Sequence, residues 1–157
     1  MDIRPATADD VPAVLPMVAK VCAFHQKLDP AKYGFRAHPE RMYDGWLVAR
    51  STDPRSVFLV AEAGPRRLAG FLVGTVEPEL SIYRLKEFGF IHDLWVEEKY
   101  RHEGTARQMV TLAVEQFRDI GVKQVRLDAA YANEPARNLF AACGFRPGIV
   151  EMLIELK

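Results

Sequence analysis

Apolar residues recur along this chain first at helical spacing, then in unbroken runs, and each change of period marks a new element. Ile3 and Arg4 predict a short first strand. Thr7-Ala8-Asp9-Asp10 is a helix start, with acids placed for the first turn. Behind it Val11, Val14, Leu15, Val18, Val21 and Cys22 share one helical face. Pro12 fits the first turn, whereas Pro16 predicts a bend costing about 3 kcal/mol unless its neighbours compensate. Between His25 and His38 the period is lost, and Pro30, Gly34 and three long basic side chains predict a loop. Pro39 opens a second helix with Met42, Tyr43, Trp46 and Leu47 as its stripe, and Asp53-Pro54 closes that region.

The pattern then changes. Val57 to Ala61 and Leu68 to Val76 are continuous apolar runs flanking Gly64-Pro65, which predicts a hairpin. Glu77 to Glu87 reads as a polar connection, and Phe88 to Val96 as a further strand. A long helix is expected from Gly104 to Ile120, burying Ala106, Val110, Ala113, Val114 and Phe117 and stopping at Gly121. Gln124 to Asp128 reads as a strand, so strand, helix and strand make a parallel crossover. A short helix follows from Pro135 to Ala142. In Ile149 to Leu156, Glu151 and Glu155 alternate with Met152, Ile154 and Leu156, which predicts a last strand with one wetter face. The expected fold is α/β, with a central mixed sheet flanked by about four helices.

Size and charge narrow the function. The 157 residues suit a single domain, 1–157, large enough to fold without a disulfide or metal staple. Lys plus Arg and Asp plus Glu both number 21, which argues against a nucleic-acid backbone binder. The longest uncharged stretches, Val11–Ala19 and Leu68–Val76, are nine residues, too short for a membrane span of about 20. Met1-Asp2-Ile3-Arg4-Pro5 has neither the basic nor the apolar part of a signal peptide. Cys22 and Cys143 form no paired motif, so a cytoplasmic location with free thiols is expected.

The segment from Phe90 to Ala106 carries the clearest chemistry. A strand ends at Val96, and a helix begins near Gly104, whose missing side chain lets a ligand approach the backbone. Thr105 and Ala106 keep the first turn uncrowded, and Arg101 adds a cation. Unpaired N–H groups and the positive helix end suit a phosphate or pyrophosphate. Neither G-x-x-x-x-G-K nor G-x-G-x-x-G is present. His102-Glu103 starts like the zinc motif H-E-x-x-H, but position 106 is Ala, and no metal is expected.

Here the chain resembles the Gcn5-related N-acetyltransferase (GNAT) superfamily. Arg101, Gly104 and Ala106 match its phosphate-loop pattern Arg/Gln-x-x-Gly-x-Gly/Ala. Its later Asn-x-x-Ala-x-x-Leu-Tyr-x-x-x-Gly-Phe segment is matched by Asn133, Ala136, Leu139, Gly144 and Phe145, with Phe140 in place of Tyr. The resemblance implies acetyl-coenzyme A (acetyl-CoA) as co-substrate and a small-molecule or peptide amine as acceptor, attacked directly in a ternary complex. It implies that the backbones of Leu94 and Val96 pair with the pantetheine arm. It implies that N–H groups from Arg101 through His102, Glu103, Gly104 and Thr105 to Ala106 hold the pyrophosphate. Asn133 and Phe140 would lie beside the thiol. Glu103 departs from the basic character common in that loop. Family members of this size often pair, so a homodimer through the last strand is expected, with no nucleic-acid or membrane partner.

His92 and Asp93 are the candidate bases, and they resemble the Glu-Asp pair at the same strand end in the polyamine acetyltransferase branch. An imidazole suits water-mediated removal of an amine proton. Packing of His92 in the sheet and a structural hydrogen bond from Asp93 account for the same residues, and both readings stand open. Phe140 cannot protonate a leaving thiolate, so Tyr131 is the substitute candidate acid. That departure keeps a second function open, an acetyl-CoA-binding module without transferase activity.

Overall fold

Five strands lie side by side in chain order: β1 (Asp2–Pro5), β2 (Val57–Glu62), β3 (Leu68–Pro78), β4 (Glu87–Val96) and β5 (Val125–Leu127). The neighbours β1–β2, β2–β3 and β3–β4 are antiparallel, while β4–β5 is parallel, joined through α3 (Thr105–Ile120). The other helices are α1 (Val11–Leu28), α2 (Asp44–Thr52) and α4 (Glu134–Ala142). The computed structural model describes residues 1–157. The result is the mixed α/β sheet with four helices that the pattern predicts.

The unbroken apolar runs are explained by cover on both faces of the sheet. Phe58, Val60, Phe71 and Val73 point to one side, against Val14, Val18 and Val21 of α1 and Leu47 of α2. Val57, Leu59, Ala61 and Leu72 point to the other, against Met109, Val110, Ala113 and Phe117 of α3. The Phe117 ring lies in a hollow that β3 and β4 leave at Gly74 and Gly89. A Cβ on either glycine would come within 2.9 Å or less of the ring. No helix is long and apolar enough to cross a membrane.

Several boundaries differ from the pattern. The first helix runs on through Pro16 and past His25 to Leu28, shortening the expected loop. Its last turn is held by contacts outside the apolar stripe: the Phe24 ring packs edge-on against Trp95, and His25 Nδ1 bonds the Val21 carbonyl at 2.9 Å. Pro39–Met42 is a separate 3₁₀ turn before α2. Its tighter winding turns Met42 out of the stripe, leaving it exposed while Leu47 is fully buried. Strand β3 extends through Glu77 to Pro78, because pairing with Phe88 and Glu87 outweighs its loss of hydrophobicity. In α3, Met109 is in the core, whereas Ala106 is only partly covered.

The strand expected at Ile149–Leu156 is absent. No residue beyond Phe145 makes a backbone–backbone hydrogen bond. A period-two pattern needs a neighbouring strand to pair with, and the chain's own β5 does not receive this one.

Candidate functional site

The site starts from one irregularity in the sheet. Register between β3 and β4 shifts between Val73 and Gly74: Val73 faces Asp93, Gly74 faces Ile91, and His92 is the extra residue. A bulge interrupts the alternation of the strand. His92 and Asp93 therefore turn toward the same layer, formed by α1, α2 and Tyr43. Pairing of β4 with β5 ends at Ile91 opposite Leu127, although β4 continues to Val96. Beyond the bulge Glu97 N–H bonds Ala69 of β3 at 2.7 Å, while the Val96 carbonyl faces away and accepts from Arg101 Nε at 2.8 Å. By the two-residue period, Leu94 and Val96 turn their backbone groups toward the open wedge between β4 and β5.

The His92 ring sits edge-on to Trp46 and Phe90, with centroids 5.3 and 5.0 Å away. Its Nε2 lies 2.7 Å from Thr75 Oγ1, and that oxygen lies 2.6 Å from Glu77 Oε1. A hydroxyl has one proton to donate, and an ionised carboxylate only accepts. Thr75 therefore donates to Glu77 and accepts from His92 Nε2–H, a tautomer assigned from this network. Nδ1 is left as the nitrogen with the lone pair. Burial holds the imidazole below its ordinary value of 6.5, against the pull of Asp93 and Glu77.

Asp93 has a different setting. Its Oδ2 is buried without a hydrogen-bond partner. Burial raises its carboxyl above 3.8, partly offset by the Tyr43 hydroxyl and by His92 and His25. The same pocket pushes the Cys22 thiol up to about 11, through burial and then the Asp93 charge. Asp93 thus lies beneath α1, while His92 keeps 28% of its side chain exposed.

The other half of the site is a cradle of backbone. Gly104 is the N-cap of α3 at φ 81°, with nothing within 4 Å of where a Cβ would stand. His102 also takes a left-handed conformation, at φ 65°. The first backbone amide of this helix to find an acceptor is Gln108, on Gly104, so the N–H groups of His102 through Arg107 are all unpaired. No acidic side chain occupies the first turn. A series of free amides at a positive helix end, with open space before it, fits a pyrophosphate, so these residues suit acetyl-CoA. Arg101 is anchored, its Nε on Val96 and its guanidinium 4.6 Å over the Trp95 ring. Glu103 is exposed.

Asn133 caps α4, its Oδ1 accepting from Ala136 N–H at 3.3 Å, which leaves its amide NH₂ unused. Phe140 is half-buried against Phe145. Tyr131 is 82% exposed, lies beneath the Arg137 guanidinium, and makes no contact with His92 or Asp93. The structure thus joins His92, Asp93 and the Leu94–Val96 edge on one strand, and it leaves Tyr131 apart. The pattern gives Trp46 only as part of a helical stripe and does not single out Thr75 for the site, although Thr75 is the only hydroxyl in its nine-residue uncharged run. Glu79 and Glu87 are paired with Arg126 and Arg55, at 2.6 and 2.7 Å. No group of three or more potential metal-ligating side chains converges.

Comparison with known proteins extends this picture. The model of the acetyltransferase (GNAT) family matches residues 21–145. N-alpha-acetyltransferase MAK3 of Arabidopsis thaliana is 33% identical over 76 residues, 48% of this chain but only 40% of that protein's length. YhfO of Bacillus subtilis, described as an uncharacterized N-acetyltransferase, is 24% identical over 147 residues, 92% of this chain and 89% of that one. Among solved structures, a mutant of a Bacillus halodurans protein superposes with a TM-score of 0.87 at 21% identity, covering all of both chains. That likeness establishes the shared fold.

Proposed function

The chain belongs to the GNAT family of acetyltransferases, and from that premise we propose that it transfers an acetyl group from acetyl-CoA to a primary amine of a small molecule or peptide. The observation that carries this reading is the meeting of two features on one strand end: the run of unpaired amides before and at the start of α3, and the oriented His92 beside the free edge of β4. Bound there, acetyl-CoA supplies an acyl group already activated as a thioester. The amides from His102 to Ala106, with Arg101, hold the pyrophosphate, and Leu94 and Val96 pair with the pantetheine arm. Asn133 and Phe140 flank its thiol end.

His92 Nδ1 takes the proton of the incoming amine, directly or through water, because a lysine-like amine with a pKa near 10.4 arrives protonated. Thr75 and Glu77 hold the ring in the tautomer this requires. Asp93, half-buried with its Oδ2 enclosed beneath α1, steadies the bulge from below. Phe140 has no proton to give, and a thiol pKa of about 8.5 lets the thiolate leave unassisted.

Phe140 also favours a second reading, an acetyl-CoA-binding module without transfer. A panel of primary amines, from polyamines and amino-acid derivatives to aminoglycosides and N-terminal peptides, separates the two, with free thiol as the readout. Transfer gives thiol release that depends on one acceptor class and collapses in His92→Ala. Tight acetyl-CoA binding with no release for any acceptor would establish the binding module instead.

A further inference from the structure

A cleft beside β3 holds charges that the acyl-transfer chemistry leaves unused. Strand β3 outruns β2: their pairing ends at Val57 opposite Gly74, while β3 continues to Pro78. Along that unpaired stretch, the last turn of α2 and the turn at Asp53 and Arg55 enclose a cleft of about 330 Å³. Its lining has three cations, Arg50, Arg55 and Lys86, against two carboxylates, Asp53 and Glu87. Both carboxylates are engaged. Asp53 accepts from Arg55 N–H at 2.9 Å and from the Ser56 hydroxyl at 2.7 Å, and Glu87 accepts from the Arg55 guanidinium at 2.7 Å. Arg50 is left over. Its Nη1 lies 3.6 Å from Asp53 Oδ2, beyond hydrogen-bond reach, and its Nε is buried without a partner. An unfilled buried donor is costly, and the planar fork of a guanidinium matches a carboxylate.

The cleft adjoins the candidate base. Thr75, which holds His92 Nε2, is part of its wall. Trp46 touches both groups, its ring 5.7 Å from the Arg50 guanidinium carbon and 5.3 Å from the His92 ring. Arg50 and His92 therefore stand no farther apart than those two distances together. Charge is sorted along this face. Glu77 lies 3.7 Å from His92 Nε2 and suits an ammonium, while the unmatched cation lies at Arg50. We propose that the acceptor is an amine that also carries a carboxylate, and that Arg50 binds this carboxylate in the cleft while the amine meets His92. The inference rests on the acyl-transfer reading and names its substrate class. One carboxylate cancels the net positive charge of the lining, whereas a phosphate dianion would overfill it beside Asp53 and Glu87. A chain of a few methylenes, with a hydrogen bond at either end, covers the span and lies along the Trp46 ring.

The test compares ε-aminocaproate with its amide, which has the same length and no negative charge, in the wild type, Arg50→Gln and Arg50→Lys. Thiol release gives kcat/KM, and the Arg50 Nε–H resonance of the wild type in NMR reads the cleft without the chemistry. The wild type should prefer the carboxylate roughly 10- to 100-fold, the range of a hydrogen bond to a charged group, and mainly through KM. Arg50→Gln should bring the two acceptors within about threefold of each other, and Arg50→Lys, with the charge but not the fork, should fall between. The carboxylate, and not the amide, should shift the Arg50 Nε–H signal. Equal rates for the two acceptors in the wild type would overturn the inference and leave acyl transfer standing. A preference that survives in Arg50→Gln would overturn it too, because the carboxylate would then be read elsewhere. A shifted signal with no thiol release from either amine would sink acyl transfer, and the acceptor role with it, while keeping the cleft as a carboxylate site. Neither release nor shift would overturn both.

Discussion

Thr75→Val keeps the size of the side chain and removes the hydroxyl shared by His92 and Glu77. One such hydrogen bond is worth about 0.5–1.5 kcal/mol, so turnover should fall about 2- to 10-fold with acetyl-CoA affinity unchanged. His92→Ala should cost far more, about 10²- to 10⁴-fold, as for loss of a general base. The pH profile discriminates further. Burial depresses the imidazole, so its neutral form persists below pH 6.5, and the acid limb of the rate should lie below that value. Glu77 pulls the other way, so Glu77→Gln should move the limb lower still. The limb should vanish in His92→Ala. If Asp93 were the base, Asp93→Asn would be the damaging change and His92→Ala would keep the limb. Gly104→Asp sets a charge against the unpaired amides and should abolish acetyl-CoA binding in calorimetry, with the circular dichroism spectrum intact. The amide cradle was legible from sequence because it is local, although it spans His102 to Arg107, the Arg101 N–H expected in it being bonded to the Glu98 carbonyl at 3.1 Å. The Thr75–Glu77 support was not, since it depends on a cross-strand register and on a bulge whose extra residue, His92, no periodicity reveals.

Elements pack here with little slack, and the hollow at Gly74 and Gly89 is the sharpest case. A methyl group on Gly89 would stand 2.7–2.9 Å from three atoms of the Phe117 ring. Gly89→Ala should therefore destabilise by about 1–3 kcal/mol, seen as a lower urea midpoint at unchanged slope. Adding Phe117→Leu should recover part of that loss. At the sheet's other edge, Arg4 joins β1 to Asp10 at 2.8 Å and to Glu62 of β2 at 3.0 Å. Its hydrogen bonds hold the Asp10 carboxyl down at about 2, against 3.8 unpaired. A depressed carboxyl stabilises above its unfolded pKa and loses that contribution as the pH falls through its folded pKa. The window is pH 4 to 2, and the amount is at most about 2 kcal/mol. Arg4→Met should flatten the acid titration of stability across that window. Runs such as Val57–Ala61 and Leu68–Val76 were readable because both faces of the sheet are covered, and α3 because its apolar spacing is regular. The end of α1 was not, because aromatic contacts of Phe24 and His25 outside the stripe carry the helix onward. Ile149–Leu156 kept a strand's alternation without a strand's partner in its own chain.

At the scale of the whole molecule, two core layers share one sheet, and the sheet opens at one corner, where β4 outruns β5. On the proposed reading, a ligand lodged in that wedge would touch β4, the start of α3 and the cap of α4 together, an arrangement that exists only in the folded chain. Binding therefore adds to global stability by mass action. At a hundredfold excess over its dissociation constant the gain is about 2.7 kcal/mol. For a chain of this length each kcal/mol moves the melting temperature by about 2–4 °C, so acetyl-CoA should raise it by about 5–11 °C. Gly104→Asp, strained at φ 81°, should melt somewhat below the ligand-free wild type and show no rise, whereas His92→Ala should rise as the wild type does. Scanning fluorimetry of the three proteins with and without ligand thus measures the cradle apart from the chemistry. A wild type that does not respond at saturating acetyl-CoA would remove the wedge as the cofactor site. A His92→Ala protein that fails to respond would move His92 from the proton path to the binding surface.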